Sequence, residues 1–275
     1  MNSKLLRVIS VLLTAAVLFA LASCGQSSGD EETTTGEIIP VTPAPSNTSD
    51  ALAYFNRLIN GVKSARPGVS MECRRNISDI SAVNSKGDVK EVGDLLTIAK
   101  KYIKELDKKS DTAEYGDALN NFLPVAGTPF SSQLSEADIL SAKCEDSENE
   151  PDKYYVLTVV LKDEENPAPG SSISKAFDLD IDKTKVLKEF QGYTNLINVS
   201  DYSTLYTDCQ IVMTVLKATD EITNIGYEKN VIVTSDVVFN GTLDSWGDAT
   251  VKLTFHETKE YKDFVWTEPT TAETK

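Results

Sequence analysis

The sequence predicts an α+β fold: a meandering antiparallel sheet, able to curl into a half-barrel, packed against two or three helices. Three observations carry this. Apolar residues recur at helical spacing near the start of the globular part, β-branched stretches broken by turn residues fill its second half, and the order is helices and one strand first, then mostly strands. That order is unlike the alternating βαβ pattern of a parallel sheet.

In "SDALAYFNRLINGVKSARPG", Leu52, Phe55, Leu58, Ile59 and Val62 line one helix face, Ser49 or Asp50 can cap its start, and Pro67-Gly68 stops it. "VSMECRRNISDI" then turns Val69, Met71 and Cys73 inward, as a strand does. "EVGDLLTIAKKYIKELDKK" reads as a second amphipathic helix, with an apolar stripe of Val92, Leu95, Leu96, Ala99, Tyr102, Ile103 and Leu106. Its lysines gather at the C-terminal end, where the helix dipole favours them. A third short helix is predicted over Tyr115–Leu123. "ADILSAKCE" and "KYYVLTVVLKD" form a hairpin through the acidic loop "DSENEPD", and "SSISKAFDLDID" is a further strand followed by a short helix, Lys183–Phe190. "TDCQIVMTVLKA", "EITNIGYEKNVIVTSDVVFNG" and "DATVKLTFHE" are long strands, with Asn240-Gly241 as a turn signal.

The globular part, Asp50–Trp266, is bounded by segments of different composition and reads as one domain of roughly 215 residues. Residues 267–275 and 24–49 are rich in Thr, Ser, Pro, Gly and acids, too polar to offset the entropy of ordering, so they read as a disordered tail and tether. Residues 1–23 have the form of a secretory signal: Lys4 and Arg7 in front, then an uncharged run, Val8–Ala22, of about 15 residues, shorter than the roughly 20 that span a bilayer. The run ends in "LASC", Leu21-Ala22-Ser23-Cys24, which resembles the lipobox of bacterial lipoproteins. The resemblance implies a diacylglyceryl group on the Cys24 thiol, cleavage just before Cys24, and attachment to the extracytoplasmic face of the bacterial cell membrane. Two acyl chains suit stable anchoring, because each buried CH₂ is worth about 0.8 kcal/mol and one chain alone exchanges.

With 27 Lys and Arg against 42 Asp and Glu, the formal net charge is −15 and no basic patch is present, which excludes nucleic acid as a partner. Besides Cys24 there are Cys73, Cys144 and Cys209, each in a strand-like stretch and without metal-type spacing. They read either as small buried hydrophobes or as one disulfide with one free thiol. Histidine-based nucleophilic catalysis would need His256, the sole histidine, which lies on the polar side of a strand where Val251, Leu253 and Phe255 alternate with Lys252, Thr254 and His256. "DLDIDKTKVLKE", Asp178–Glu189, has acids at EF-hand positions one, three, five and twelve. Lys183 stands where the turn needs Gly and Lys185 where an apolar residue belongs, so the acids read as the wet edge of a strand. Asn76, Asn198 and Asn240 begin glycosylation acceptor triplets, which matter only in a eukaryotic secretory path. The sequence therefore predicts no catalytic residue, cofactor or metal.

"YYVLTVVL" and "IVMTVL" are apolar on both faces, so both faces need cover, from helices, from the chain's own loops, or from a bound apolar ligand. This plan is similar to the half-barrel lipid-carrier lipoproteins, which curl an antiparallel sheet over helices and hold acyl chains in the hollow. That similarity implies an apolar or lipid ligand for a non-catalytic domain. The alternative is an envelope module that docks proteins or wall polymer and fills its core with its own side chains.

Overall fold

The computed structural model describes residues 43–90, 106–130, 132–179, 184, 187, 188 and 191–268. The first element is α1, Thr48–Ala65. Its cap is Asn47, not Ser49 or Asp50: the Asn47 side chain accepts the Asp50 N–H at 2.9 Å, so the helix starts two residues earlier than a Ser49 cap would set it and three earlier than an Asp50 cap. Leu52, Phe55, Leu58, Ile59 and Val62 form its buried face, as the spacing predicts. It ends at Arg66, in the left-handed conformation, whose N–H bonds the Val62 carbonyl. Pro67, with no N–H, carries no further helix.

Ten strands follow: β1 (Gly68–Asn84), β2 (Val89–Lys90), β3 (Leu106–Ala113), β4 (Ile139–Asp146), β5 (Tyr154–Leu161), β6 (Glu164–Glu165), β7 (Ile197–Val199), β8 (Ser203–Leu216), β9 (Glu221–Phe239) and β10 (Asp248–Val265). They make one antiparallel sheet in the order β2-β1-β10-β9-β8-β5-β4, with β3 on β1, β6 on β8 and β7 on β9. The sheet is open: β4 and β2 stand at opposite ends of the order. The first long strand pairs with the last, from Ser70↔Lys262 to Asn84↔Ala249. No helix among the described residues is long and apolar enough to cross a membrane.

The α+β expectation therefore holds in its sheet and is thinner in its helices. The stripe from Val92 to Ile103 lies outside the described residues, but its last member, Leu106, opens strand β3, which pairs with β1 from Arg75↔Leu106 to Val69↔Ala113. The segment "LDKKSDTA" is held in the sheet by backbone pairing, which its polar side chains do not announce. The helix expected over Tyr115–Leu123 is a single 3-10 turn, Leu119–Asn121. Of "SSISKAFDLDID", the described part, residues 171–179, is not a strand: a 3-10 turn spans Ile173–Lys175, and Phe177 packs edge-on against Tyr227 at 5.6 Å. The alternation of Phe177 and Leu179 reflects packing from above the sheet rather than pleating. Most of the short helix at Lys183–Phe190 lies outside the described residues.

Side chains on one sheet face, with α1 beside β4 and β5, form the main core: Leu157, Val159, Ile211, Met213, Val215, Ile225, Tyr227 and Tyr261 are buried there with Phe55 and Ile59. A second, smaller core joins Ala82, Ile197, Val237, Phe239 and Ala249 at the far end of the long strands. The opposite sheet face is only partly covered: Tyr154, Val156, Thr158 and Val160 of β5 and Val212, Thr214 and Leu216 of β8 are all half-buried. Threonines alternate with the aliphatic residues across it, and Lys143 and Glu145 of β4 border it, so this face tolerates water. Cys73, Cys144 and Cys209 are free thiols in β1, β4 and β8, the first and last buried, which answers the disulfide alternative.

Candidate functional site

Three polar constellations stand out, two inside the fold and one at its tip. The first is a row across β1, β10 and β9. Arg75 is in register with Glu257, and Glu257 with Lys229. Lys229 and Glu257 are each 2 % exposed, in the midst of the core. The Arg75 guanidinium donates to one Glu257 oxygen, and the Lys229 ammonium lies 3.2 Å from the other. Lys259 stands between Glu257, at 3.6 Å, and Asp178, at 3.5 Å. Arg75 also lies over the Phe255 ring at 5.6 Å. Burial, with Lys229 only partly opposing it, pushes the Cys209 thiol up to about 12. The row ties strands together through opposite charges.

The second constellation centres on buried Asp138. Its carboxylate accepts the Ser172 hydroxyl at 2.6 Å, the Ser135 hydroxyl at 2.7 Å and N–H at 2.8 Å, and the Lys175 ammonium at 2.9 Å to both oxygens. Burial alone would raise Asp138, but these bonds outweigh it and hold the carboxyl well below its ordinary value. Ser172 donates to the carboxylate that also holds Lys175, so the lysine is a tie between loops rather than a base for the serine.

The third is an open cleft of about 400 Å³ on the partly covered face at the end of β9 and β10. Val83 of β1 and Val238 of β9 give it two exposed aliphatic surfaces. Asp236 of β9 and Asp248 of β10 supply carboxylates; Asn198, Ser200 and Ser85 supply neutral polar groups. Asp236 accepts the hydroxyl of Thr250, its register partner, at 2.7 Å. Among the described residues, no lysine, arginine or histidine lines the cleft. Its floor is the β7–β9–β10–β1 pairing, held from beneath by the second core.

The residues singled out from sequence are scattered relative to these places. Cys24 lies outside the described residues. His256 is on the outer sheet face, its Nε2 2.9 Å from Glu228, which also accepts from Gln210 at 2.6 Å; the histidine contact, with the glutamine's help, draws the Glu228 carboxyl below its usual range. Of the EF-hand-like run, Asp178 accepts the Ala126 N–H at 2.8 Å and meets Lys259, so it is engaged within the fold, though not at a strand edge. Sequence reasoning missed the inner row, although its signal was present: Lys229 shares the inward parity of Ile225, Tyr227 and Val231, and Glu257 that of Leu253 and Phe255. Comparisons with protein-family models, curated proteins and solved structures return no match.

Proposed function

We propose that the chain is a lipoprotein of the extracytoplasmic face of a bacterial membrane, held by a diacylglyceryl group on Cys24, and that its sheet is a non-catalytic module docking another envelope component. The anchor reading rests on the ordered signal and "LASC". The docking reading rests on one geometric observation: the long strands separate the chain's entry from the tip cleft. Ala44, at the start of the described chain, packs into the core that holds Tyr155 near the start of β5. Tyr155 is in register with Val215, and Val215 with Ile222 of β9. From Ile222 to Val238 in the cleft, at about 3.3 Å per residue, β9 covers about 50 Å. The described chain therefore begins at the end of the sheet away from the cleft, which leaves the cleft clear of the chain's own entry.

The inner sheet face supports this over a carrier role, because its own side chains occupy it: Phe55, Leu157, Ile211, Met213 and Ile225 are fully buried against one another. A second reading, an apolar ligand, is favoured by the half-buried Val156, Val160, Val212 and Leu216 on the outer face, which would gain from cover. Two experiments separate these readings. Cells fed labelled fatty acid should label the wild type and not Cys24→Ser, and the variant should leave the membrane fraction; equal labelling would overturn the anchor. Native mass spectrometry of protein extracted from cells should show no lipid beyond the covalent anchor; a stoichiometric co-purified lipid would favour the carrier.

A further inference from the structure

We infer that the tip cleft recognises a neutral, hydroxyl-rich ligand, a glycan of the cell envelope, gripped between Asp236, Asp248 and Asn198 and resting on Val83 and Val238. This deepens the docking reading above by naming the chemistry of the partner.

The lining decides the class. An anionic ligand such as a phosphate needs cationic or N–H donors, whereas the described side chains here include two carboxylates and no cation; Lys252, one outward position beyond Thr250 on β10, lies outside the lining. An apolar ligand would strip water from those carboxylates without replacing their hydrogen bonds, at a cost that two valines do not offset. A chelated cation needs its ligands at about 2.3–2.6 Å from one point. Asp236 faces Thr250 while Asp248 faces Val238, so the two carboxylates are diagonal neighbours on adjacent strands, about 7–8 Å apart at the backbone. Among the described residues no His/Cys/Asp/Glu group is arranged to hold a metal.

Spread acceptors of this kind suit separate hydroxyls on one sugar ring or on two neighbours. A sugar hydroxyl both donates and accepts. Carboxylates accept from it, and amides and hydroxyls do both. Asn198, Ser200, Ser85 and Asp248 have no side-chain hydrogen bond to any described residue, and Asp236 has only that from Thr250. Their bonding capacity faces solvent, ready to exchange water for ligand hydroxyls. Val83 and Val238 flank the polar groups and match the C–H face that a sugar ring presents beside its hydroxyls. The volume, about 400 Å³, lies within the range of small-ligand sites.

The test uses the full chain in detergent, so that it reads the cleft whether or not Cys24 carries lipid. A panel of neutral oligosaccharides, a lysine-rich peptide and inorganic phosphate are titrated by saturation-transfer NMR and calorimetry at low and high salt. The expected result is saturable binding of at least one neutral oligosaccharide that is unchanged at high salt, since no net charge is exchanged. It should weaken tenfold or more in Asn198→Ala and in Asp248→Ala, and disappear in Val238→Trp, which fills the cleft. These positions are exposed, and an unchanged unfolding midpoint shows that each variant is folded. Absence of binding by every neutral sugar, or binding indifferent to all three variants, overturns the inference. Salt-sensitive capture of the lysine-rich peptide in place of sugar replaces the glycan with a cationic protein partner while leaving the docking reading intact.

Discussion

Neutralising Glu257 should be among the most damaging single changes in the domain. Glu257→Gln keeps the side-chain shape but removes the charge that faces Arg75, Lys229 and Lys259. Because Glu257 and Lys229 are almost entirely shielded from water, Lys229 cannot recover its lost partner through hydration, although it keeps the Asp178 carbonyl at 3.2 Å. Breaking a buried pair from one side costs about 3–5 kcal/mol. In a domain of this size each kcal/mol lowers Tm by about 2–4 °C, so the variant should melt about 6–20 °C below the wild type. Adding Lys229→Met removes one stranded cation and restores part of the loss, with a coupling of about 0.5–3 kcal/mol in a double-mutant cycle. The assay is calorimetry or circular dichroism melting of the four proteins at pH 7. A Glu257→Gln midpoint within 2 °C of wild type, or a double variant no more stable than the sum of the singles allows, would refute the view that this row holds three strands in register by charge.

Asp138→Asn removes a carboxylate whose folded-state ionisation is depressed from an ordinary value of 3.8. A depressed carboxyl contributes stability above that unfolded value and loses it as pH falls towards the folded one. Wild type should therefore exceed the variant by about 2–3 kcal/mol at pH 7 in urea unfolding, and the gap should narrow below about pH 4. Gly241→Ala should cost about 1–3 kcal/mol, because this residue sits at φ 57° and an added Cβ would stand 2.5 Å from the Asn195 carbonyl oxygen. Thiol titration at pH 8 should find Cys73 and Cys209 silent in the native protein and Cys144 slow, since burial lifts its thiol to about 11. In denaturant three equivalents should react if Cys24 is acylated, and four if it is not.

Much of the frame was legible where one period dominates. Helix α1 shows its 3.6-residue stripe, and β5, β8, β9 and β10 are rich in β-branched residues, with an inward alternation that is unbroken in β5 and interrupted in the longer strands. β3 was illegible because its only apolar residues, Leu106 and Ala113, stand at its two ends, and what makes it a strand is the unpaired edge of β1. The Asn240-Gly241 turn signal marked the right place: a 3-10 turn over Gly241–Trp246 carries the chain from β9 to β10. The tip cleft could not be read at all. Asn198, Asp236 and Asp248 come from different strands and meet only through register, with Val238 opposite both Asn198 and Asp248 and Asp236 opposite Thr250.

The pairing of β1 with β10 has a consequence for biogenesis. Met71 lies opposite Tyr261, so the sheet cannot close before nearly the whole chain has emerged from its ribosome or export pore. Until then β1 has an open flank, and such distant pairings make folding slow. Under the export proposed above, this delay keeps the chain extended while it is translocated. Any truncation that removes the last strand leaves a product with no route to the finished sheet.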